Sequence, residues 1–489
     1  MITKTYLTKL IEKQKKAIRK ELKNKNFEIA LQLIYNCATI LYETNQYYTD
    51  EILENALKEI AKNIGRRADF SASSDTVLFY DGFGLNDRGL IQIYLKALCK
   101  SKKIIYVTYD DRKNEIPDVL NILSSNKENA TYFIKRDKFL LQVAQLSKIV
   151  EETKPKDFFF YSLPYDVVAT TVMQKYESVL NRLQINLTDH AFWLCAKAID
   201  KCIEFRDYGA SVSYKYRNIP KEKIVKLLFY PELHKERDFQ GFPFEVKENQ
   251  KVIFSGGALY KTLGDNNKYY YLVSKILEQN CDVIFWYAGS GDDSQMQMLI
   301  EKFPERVFLT SERNDLYQVL KHTRLYLSTY PITGGLMYQY AACAGRVPVT
   351  LYFDECTQGF LLNQDNLNIE FTNIEDLCAE VSKLLNDDEY FTEREKEMLN
   401  AVITEEQFTS TLNTILKNDN EHNFEINYTD IETSSFRNEY LNRVTKKDID
   451  AILTNKLTFN ASMKHLPIHL IRGGGIKILK KIKMKLKRL

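Results

Sequence analysis

Three runs of helical periodicity open the chain. Apolar residues recur every three to four positions over 11–22, through Phe27-Glu28-Ile29-Ala30-Leu31-Gln32-Leu33-Ile34, and again over 52–64. That spacing predicts helices, the second and third forming an antiparallel pair. Asn45-Gln46-Tyr47-Tyr48 supplies the turn between them. Thr49 or Asp50 is placed to cap the third, because a short side-chain oxygen accepts the orphan amide hydrogens of a helix start. Residues 1–70 are read as a helical extension packed on the domain that follows.

After Ser71-Ala72-Ser73-Ser74 the period changes. A β-rich run at 76–80 leads into the loop Asp81-Gly82-Phe83-Gly84-Leu85-Asn86-Asp87-Arg88, a helix over 89–100 and the strand Ile104-Ile105-Tyr106-Val107-Thr108. Asp157-Phe158-Phe159-Phe160-Tyr161 and 223–229 read as further strands. These runs are apolar on both faces, as in a parallel sheet covered by helices on each side. The same rhythm restarts at Lys251. Val252-Ile253-Phe254 runs into Ser255-Gly256-Gly257, a helix follows over 269–279, and the strand at 282–287 ends in Ala288-Gly289-Ser290-Gly291. Strands Val307-Phe308-Leu309 and Leu325-Tyr326-Leu327 come next, then the turn Pro331-Ile332-Thr333-Gly334-Gly335, a helix to Ala344 and the strand Val347-Pro348-Val349-Thr350-Leu351. The prediction is an α/β protein with two Rossmann-like, doubly wound domains, 71–235 and 250–417, and an interdomain linker over 231–248. A polar extension, 418–472, and a tail, 473–489, follow.

Composition narrows the partners. Among 489 residues, 68 Lys+Arg stand against 65 Asp+Glu, a formal charge of +3, which excludes a protein coated with nucleic acid along its whole surface. No apolar run reaches the ~18–20 residues of a membrane-spanning helix, and the Lys-rich start lacks the apolar core of a signal peptide. A cytoplasmic protein without a nucleic-acid partner is expected. The eight cysteines are scattered with no C-x-x-C pair and are read as reduced thiols. No metal site is expected. His465 and His469 have ligand spacing, but Pro467 between them interrupts the helix that would align them. Asp110-Asp111 and Asp292-Asp293 are read as solvated acids. In the tail, Ile478, Leu479, Ile482, Leu486 and Leu489 project to one side of a helix with lysines opposite and no acid. Such a segment suits an anionic membrane surface, with 476–489 lying in the headgroup boundary; a nucleic-acid-binding or solubilising tail is the rival.

Chemistry concentrates in a few places. Gly334-Gly335 follows a strand and opens a helix, where bare amide hydrogens and the macrodipole favour phosphate oxygens and glycine allows close approach. A glycine pair alone is an ordinary turn. The case strengthens because Gly256, Gly257 and Lys261 lie at the first strand end of the same domain, and open α/β sheets bind ligands along the carboxyl ends of their strands. Thr333 and Leu336 flank the glycine pair and join the candidate diphosphate site; Lys261 adds a point charge, and Arg88 is a candidate to face it. A solvated surface lysine is the rival for Lys261. His190 in Leu187-Thr188-Asp189-His190-Ala191-Phe192-Trp193-Leu194 reads from its neighbours alone as a satisfied core histidine.

Gly82-Phe83-Gly84 before a helix, followed by Thr188-Asp189-His190-Ala191-Phe192-Trp193-Leu194, resembles the N-terminal half of GT-B glycosyltransferases in glycosyltransferase family four. The stretch from Ala198-Ile199-Asp200-Lys201 to Ile219-Pro220-Lys221-Glu222-Lys223 is similar to that group's "aDxvi…gip.eKi" passage. Pro331 to Pro348 resembles its "P…G…EA.acG.PVv" signature. The resemblance covers roughly 75–400. It implies a GT-B fold with two domains facing a cleft and a donor nucleotide-sugar held by the second. The diphosphate would be neutralised by helix-start amides and Lys261 rather than by a metal, with no cofactor and retention of anomeric configuration. It implies a catalytic role for His190, oriented by Asp189, with Gly82, Gly84 and Arg88 on a cleft loop and Gly289, Gln339 and Tyr340 near the donor ribose and base. The acceptor expected is a glycan or polyprenyl-linked glycan of bacterial surface polysaccharide (capsule) assembly, with the protein peripheral on the inner face of the plasma membrane. One departure stands out: Gln339-Tyr340 occupies the "EA" position, where the group has a glutamate. This leaves a non-catalytic, glycosyltransferase-like scaffold as the alternative, and an epimerase of the same two-domain type as a third reading.

Overall fold

The computed structural model describes residues 2–65, 70–84, 89–353, 359–417 and 424–473. Two compact units result, one from Met1–Asp87, Tyr94–Leu227 and Leu412–Leu489, the other from Arg88–Ile93 and Leu228–Thr411.

The first unit begins with α1 (Lys4–Lys23), α2 (Phe27–Thr44) and α3 (Glu51–Asn63). Asp50 caps α3, its carboxylate accepting from the amides of Ile52 and Leu53, and Asn45 ends α2 in the left-handed region. α2 is buried on almost every side. It is a core helix rather than an arm: Leu31, Ile34, Ala38 and Leu41 share one apolar core with Leu78 of the sheet and with Leu453 and Ala461 near the C-terminus. The sequence shows why, since twelve of the eighteen positions from 27 to 44 are apolar or aromatic, too many for one stripe. Polar contacts tie in the C-terminal helices, with Asn36 Nδ2 donating to Ser462 Oγ and Glu21 accepting from Lys464 and His465.

The sheet of this unit comprises β1 (Ser73–Asp81), β2 (Lys103–Tyr109), β3 (Ala130–Ile134), β4 (Pro155–Tyr161), β5 (Asn181–Ile185), β6 (Lys201–Glu204) and β7 (Ile224–Lys226). All pairs are parallel, in the order β3-β2-β1-β4-β5-β6-β7. The strand expected over 223–229 is only the three-residue β7. The second unit has β8 (Lys251–Gly256), β9 (Val283–Ala288), β10 (Val307–Thr310), β11 (Leu325–Leu327), β12 (Pro348–Leu351) and β13 (Glu370–Phe371), also parallel, ordered β10-β9-β8-β11-β12-β13. Strand order reverses between β1 and β4 in the first sheet and between β8 and β11 in the second, the positions where doubly wound sheets open a crevice.

Two boundaries differ from the sequence reading. The expected linker, 231–248, is packed onto the second unit: Phe239 stacks on His322 at 3.9 Å and Phe244 on Phe308 at 4.2 Å. Its near-alternating Phe239, Phe242, Phe244 and Val246 have apolar surface to bury, so the segment cannot remain a free connector. Residues 412–417, expected with the second domain, belong to the first unit, where the Ile415 carbonyl accepts from Lys201. No helix among the described residues is long and apolar enough to cross a membrane.

Candidate active site

The second unit builds its site largely from backbone. Past β8 the chain turns at Gly257 (φ 128°), whose amide donates to Ala288 O at 3.0 Å, while Tyr287 Oη donates to Gly257 O at 3.1 Å. Gly289 is required here, because a β-carbon on it would overlap the Gly257 carbonyl. A β-carbon on Gly256 would stand 3.0 Å from Ala288 O, whereas one on Gly257 meets nothing within 4 Å. The loops after β8 and β9 are thus closed on each other, with open space beside Gly257.

Lys261 lies in the short 3₁₀ turn Leu259–Thr262, and its carbonyl accepts from the Ile332 amide at 3.3 Å. Its Nζ is 3.5 Å from the position a β-carbon would take on Gly334. Gly334 is the N-cap of the nine-residue helix Gly335–Cys343 and brings no side-chain cap to it. A cation therefore stands at an uncapped helix start, both at the switch point of one sheet. Ammonium, amide hydrogens and macrodipole all favour an anion there. Thr333 precedes this helix, its hydroxyl buried without a hydrogen-bond partner, and Leu336 lies in the first turn. Gly335 has another purpose, for a β-carbon on it would overlap the Phe360 ring.

The positions expected at the donor ribose are differently employed. Gln339 is buried and its amide donates to Phe229 O (2.8 Å) and Phe360 O (3.1 Å). Tyr340 lies in the apolar core, its hydroxyl donating to Glu232 O and its phenol pushed by burial up to about 12. The pair fastens the 229–232 strand of chain to the helix, which corrects the ribose role read for it.

In the first unit, buried charge does the positioning. Asp189, after β5, is 1% exposed and takes two hydrogen bonds from Arg206, Nε to Oδ2 at 2.6 Å and Nη2 to Oδ1 at 3.0 Å. His190, partly exposed, places Nδ1 3.3 Å from Asp189 Oδ1. Burial opposes the carboxylate, but Arg206 and His190 together hold it well below the usual range. Arg217, buried, donates to the carbonyls of Thr188, Asp189 and Ala191, and Asn45 Nδ2 donates to His190 O at 2.8 Å. Where the loop ends, Cys195 adopts φ 88°, and Glu54 Oε1 accepts the amides of Cys195 (2.8 Å) and Ala196 (3.1 Å). Burial pushes Glu54 up to about 7. Sequence reasoning found the Asp189–His190 pair and missed Arg206, Arg217 and Glu54. Glu54 alone left a trace, as an acid among the apolar positions of α3.

The glycines of the first loop are steric. Asp81 accepts from the amides of Phe83 and Gly84 and from Tyr106 Oη. A β-carbon on Gly82 would overlap Ser162 Oγ, and one on Gly84 (φ 73°) the Arg112 guanidinium. Arg88 and the tail at 476–489 lie outside the described residues. Among the described residues no cluster of His, Cys, Asp or Glu is arranged to hold a metal ion. His465 pairs with Glu21 and His469 with Asp450, Asp111 with Arg136, and Asp292 caps Ser294.

No family model matches the chain, and no curated protein matches it in sequence. Solved structures do match it in fold. An O-GlcNAc transferase mutant of Thermobaculum terrenum superposes with a TM-score of 0.53 at 14% identity, over 84% of this chain and 78% of that one. An S. aureus TarM mutant, in complex with fondaparinux, alpha-GlcNAc-glycerol and UDP, gives 0.50 at 11%, over 70% and 99%. A putative UDP-N-acetylglucosamine 2-epimerase of Listeria monocytogenes gives 0.50 at 11%, over 72% and 100%. The likeness is one of fold: two Rossmann-like domains of GT-B type.

Proposed function

We propose that the chain is a glycosyltransferase that moves a sugar from a nucleotide-sugar donor to a glycan or lipid-linked glycan. The observation that carries this reading is the Lys261 ammonium beside the uncapped helix start at Gly334, next to open backbone at Gly257. Departure of a nucleoside diphosphate builds negative charge, and donors already fixed in place stabilise it without reorganising. In this reading they do so without a metal, and the anomeric configuration is retained. Asp189 accepts from Nδ1–H of His190, which fixes the tautomer with its lone pair on Nε2 and gives His190 its role at the reacting sugar. The acceptor belongs to capsule-type surface polysaccharide, and the basic residues of 476–489 hold the protein on the anionic inner leaflet, each contributing ~1 kcal/mol near the surface. That the matching S. aureus structure is a complex with UDP supports a nucleotide ligand for this chain.

A scaffold without turnover is the second reading, favoured by Gln339 in place of a carboxylate and by its amide being bound to two carbonyls. A turnover assay over a panel of nucleotide sugars, with Lys261→Ala as control, separates the readings. Sugar transfer or donor hydrolysis that Lys261→Ala abolishes supports the transferase. Release of an epimerised sugar without acceptor identifies an epimerase, and absence of both nucleotide binding and turnover identifies a scaffold.

A further inference from the structure

The first unit contains a cavity that the donor chemistry does not use. It measures about 290 Å³, near the lower end of ligand pockets (~300 Å³), and is walled by the start of α1, the turn after α2 and the C-terminal helix Ser434–Arg443. Lys4 and Arg437 bring two cations to its lining, and no acid lines it among the described residues. Arg437 is fixed in place, Nη1 donating to Gln46 O at 3.2 Å and Nε to Thr433 O at 3.4 Å. Glu432, just before the helix, is engaged with the Ser434 amide. Thr8 and Asn438 add hydrogen-bonding groups, and Tyr47, 46% exposed, offers a ring face with a polar tip.

Residues adjoining the cavity lining reach His190. Asn45, one residue before Gln46, holds the His190 carbonyl, and Tyr440, on the same helix as Arg437 and Asn438, lies 6.0 Å from the His190 ring. We propose that this cavity binds an anionic saccharide or polyol-phosphate chain, the acceptor side of the transfer. The assignment as acceptor rests on the transferase reading; the binding itself does not. Cations with amides and an exposed phenol suit a chain that presents both hydroxyls and acidic groups, because each charged contact is a strong hydrogen bond and the ring packs against the apolar face of a sugar or polyol.

Calorimetric titration of the full chain with a short poly(glycerol phosphate) tests this, with inorganic phosphate, neutral chitotriose and anionic phospholipid vesicles as separate arms and UDP titrated in parallel. The charged chain binds the wild type, and Lys4→Glu with Arg437→Gln weakens it at least tenfold while UDP affinity is unchanged. Should that pair unfold the protein, Lys4→Glu with Asn438→Asp gives the same loss, and the charged chain protects Lys4 from amine acetylation. The proposal is overturned if the wild type does not bind the chain, if the substitutions leave its affinity unchanged, or if inorganic phosphate binds as tightly. It is equally overturned if the substitutions affect only the vesicle arm, which assigns the cavity to lipid. Loss of chain binding in the variants when UDP binds neither protein sustains the cavity and removes the transferase reading instead.

Discussion

The two candidate sites are built by opposite means. In the second unit the candidate anion site is made of backbone: turns at Gly257 and Gly289, a helix start at Gly334, and one lysine set on them. In the first, the backbone of 188–196 is irregular and is held by buried side chains, with Arg206 on Asp189, Arg217 on three carbonyls, and Glu54 on two amides. Backbone donors are cheap to preorganise, because the fold that makes the sheet also makes the turn. Buried ions are costly to desolvate and hold firmly only while complete. The comparison predicts that the first site fails by unfolding and the second by loss of ligand.

The largest effect is expected at Arg206. Arg206→Met leaves buried Asp189 with only the partly exposed His190 beside it, and should lower unfolding stability in urea by about 3–5 kcal/mol. Glu54 comes next, with a pH signature. Its folded pKa is about 7 against an ordinary value of 4.5, so between these values the folded state binds more protons than the unfolded, and stability falls as pH rises from about 4.5 to 7. The shift corresponds to roughly 3 kcal/mol. Glu54→Gln keeps an oxygen for the Cys195 and Ala196 amides and should remove that slope; a variant with an unchanged slope assigns it elsewhere. Asp189 works in the opposite sense, its contribution present at neutral pH and lost in acid below the usual carboxylate range.

Smaller effects are expected in the second unit. Gly289→Ala pushes the Gly257 carbonyl aside and should cost about 1–3 kcal/mol, read as a lower melting temperature together with weakened nucleotide binding. Restoring the carboxylate with Gln339→Glu should not create a ribose contact. It sets an acid against the Phe229 and Phe360 carbonyls and should destabilise by about 1–3 kcal/mol, with no gain in nucleotide affinity.

The same contrast explains what could be read from the chain. Short both-face apolar runs identify a parallel sheet, and a glycine pair after such a run marks a helix start, so both sheets and the Lys261–Gly334 meeting were legible. The stretch from 110 to 154 carries β3 and the helices Pro117–Leu123 and Phe139–Thr153, and the spacing of Phe139, Val143, Leu146 and Val150 makes the second of these legible as a helix face. Arg206 and Arg217 reach Asp189 and its loop from 17 and 26 to 29 residues away, and no local pattern announces such pairings. The 231–248 segment lies between the two sheet rhythms, the ordinary place of a connector, but its phenylalanines decide its place. α2 carries apolar residues on almost every side, the mark of a core helix within the 1–70 segment.

Isothermal titration of UDP into the wild type and Lys261→Ala tests the central claim most directly. The ammonium at the helix start predicts binding by the wild type and a loss of about 10- to 100-fold in the variant, the worth of one charge-assisted contact. Equal affinity in the two proteins, or no binding by either, would contradict it.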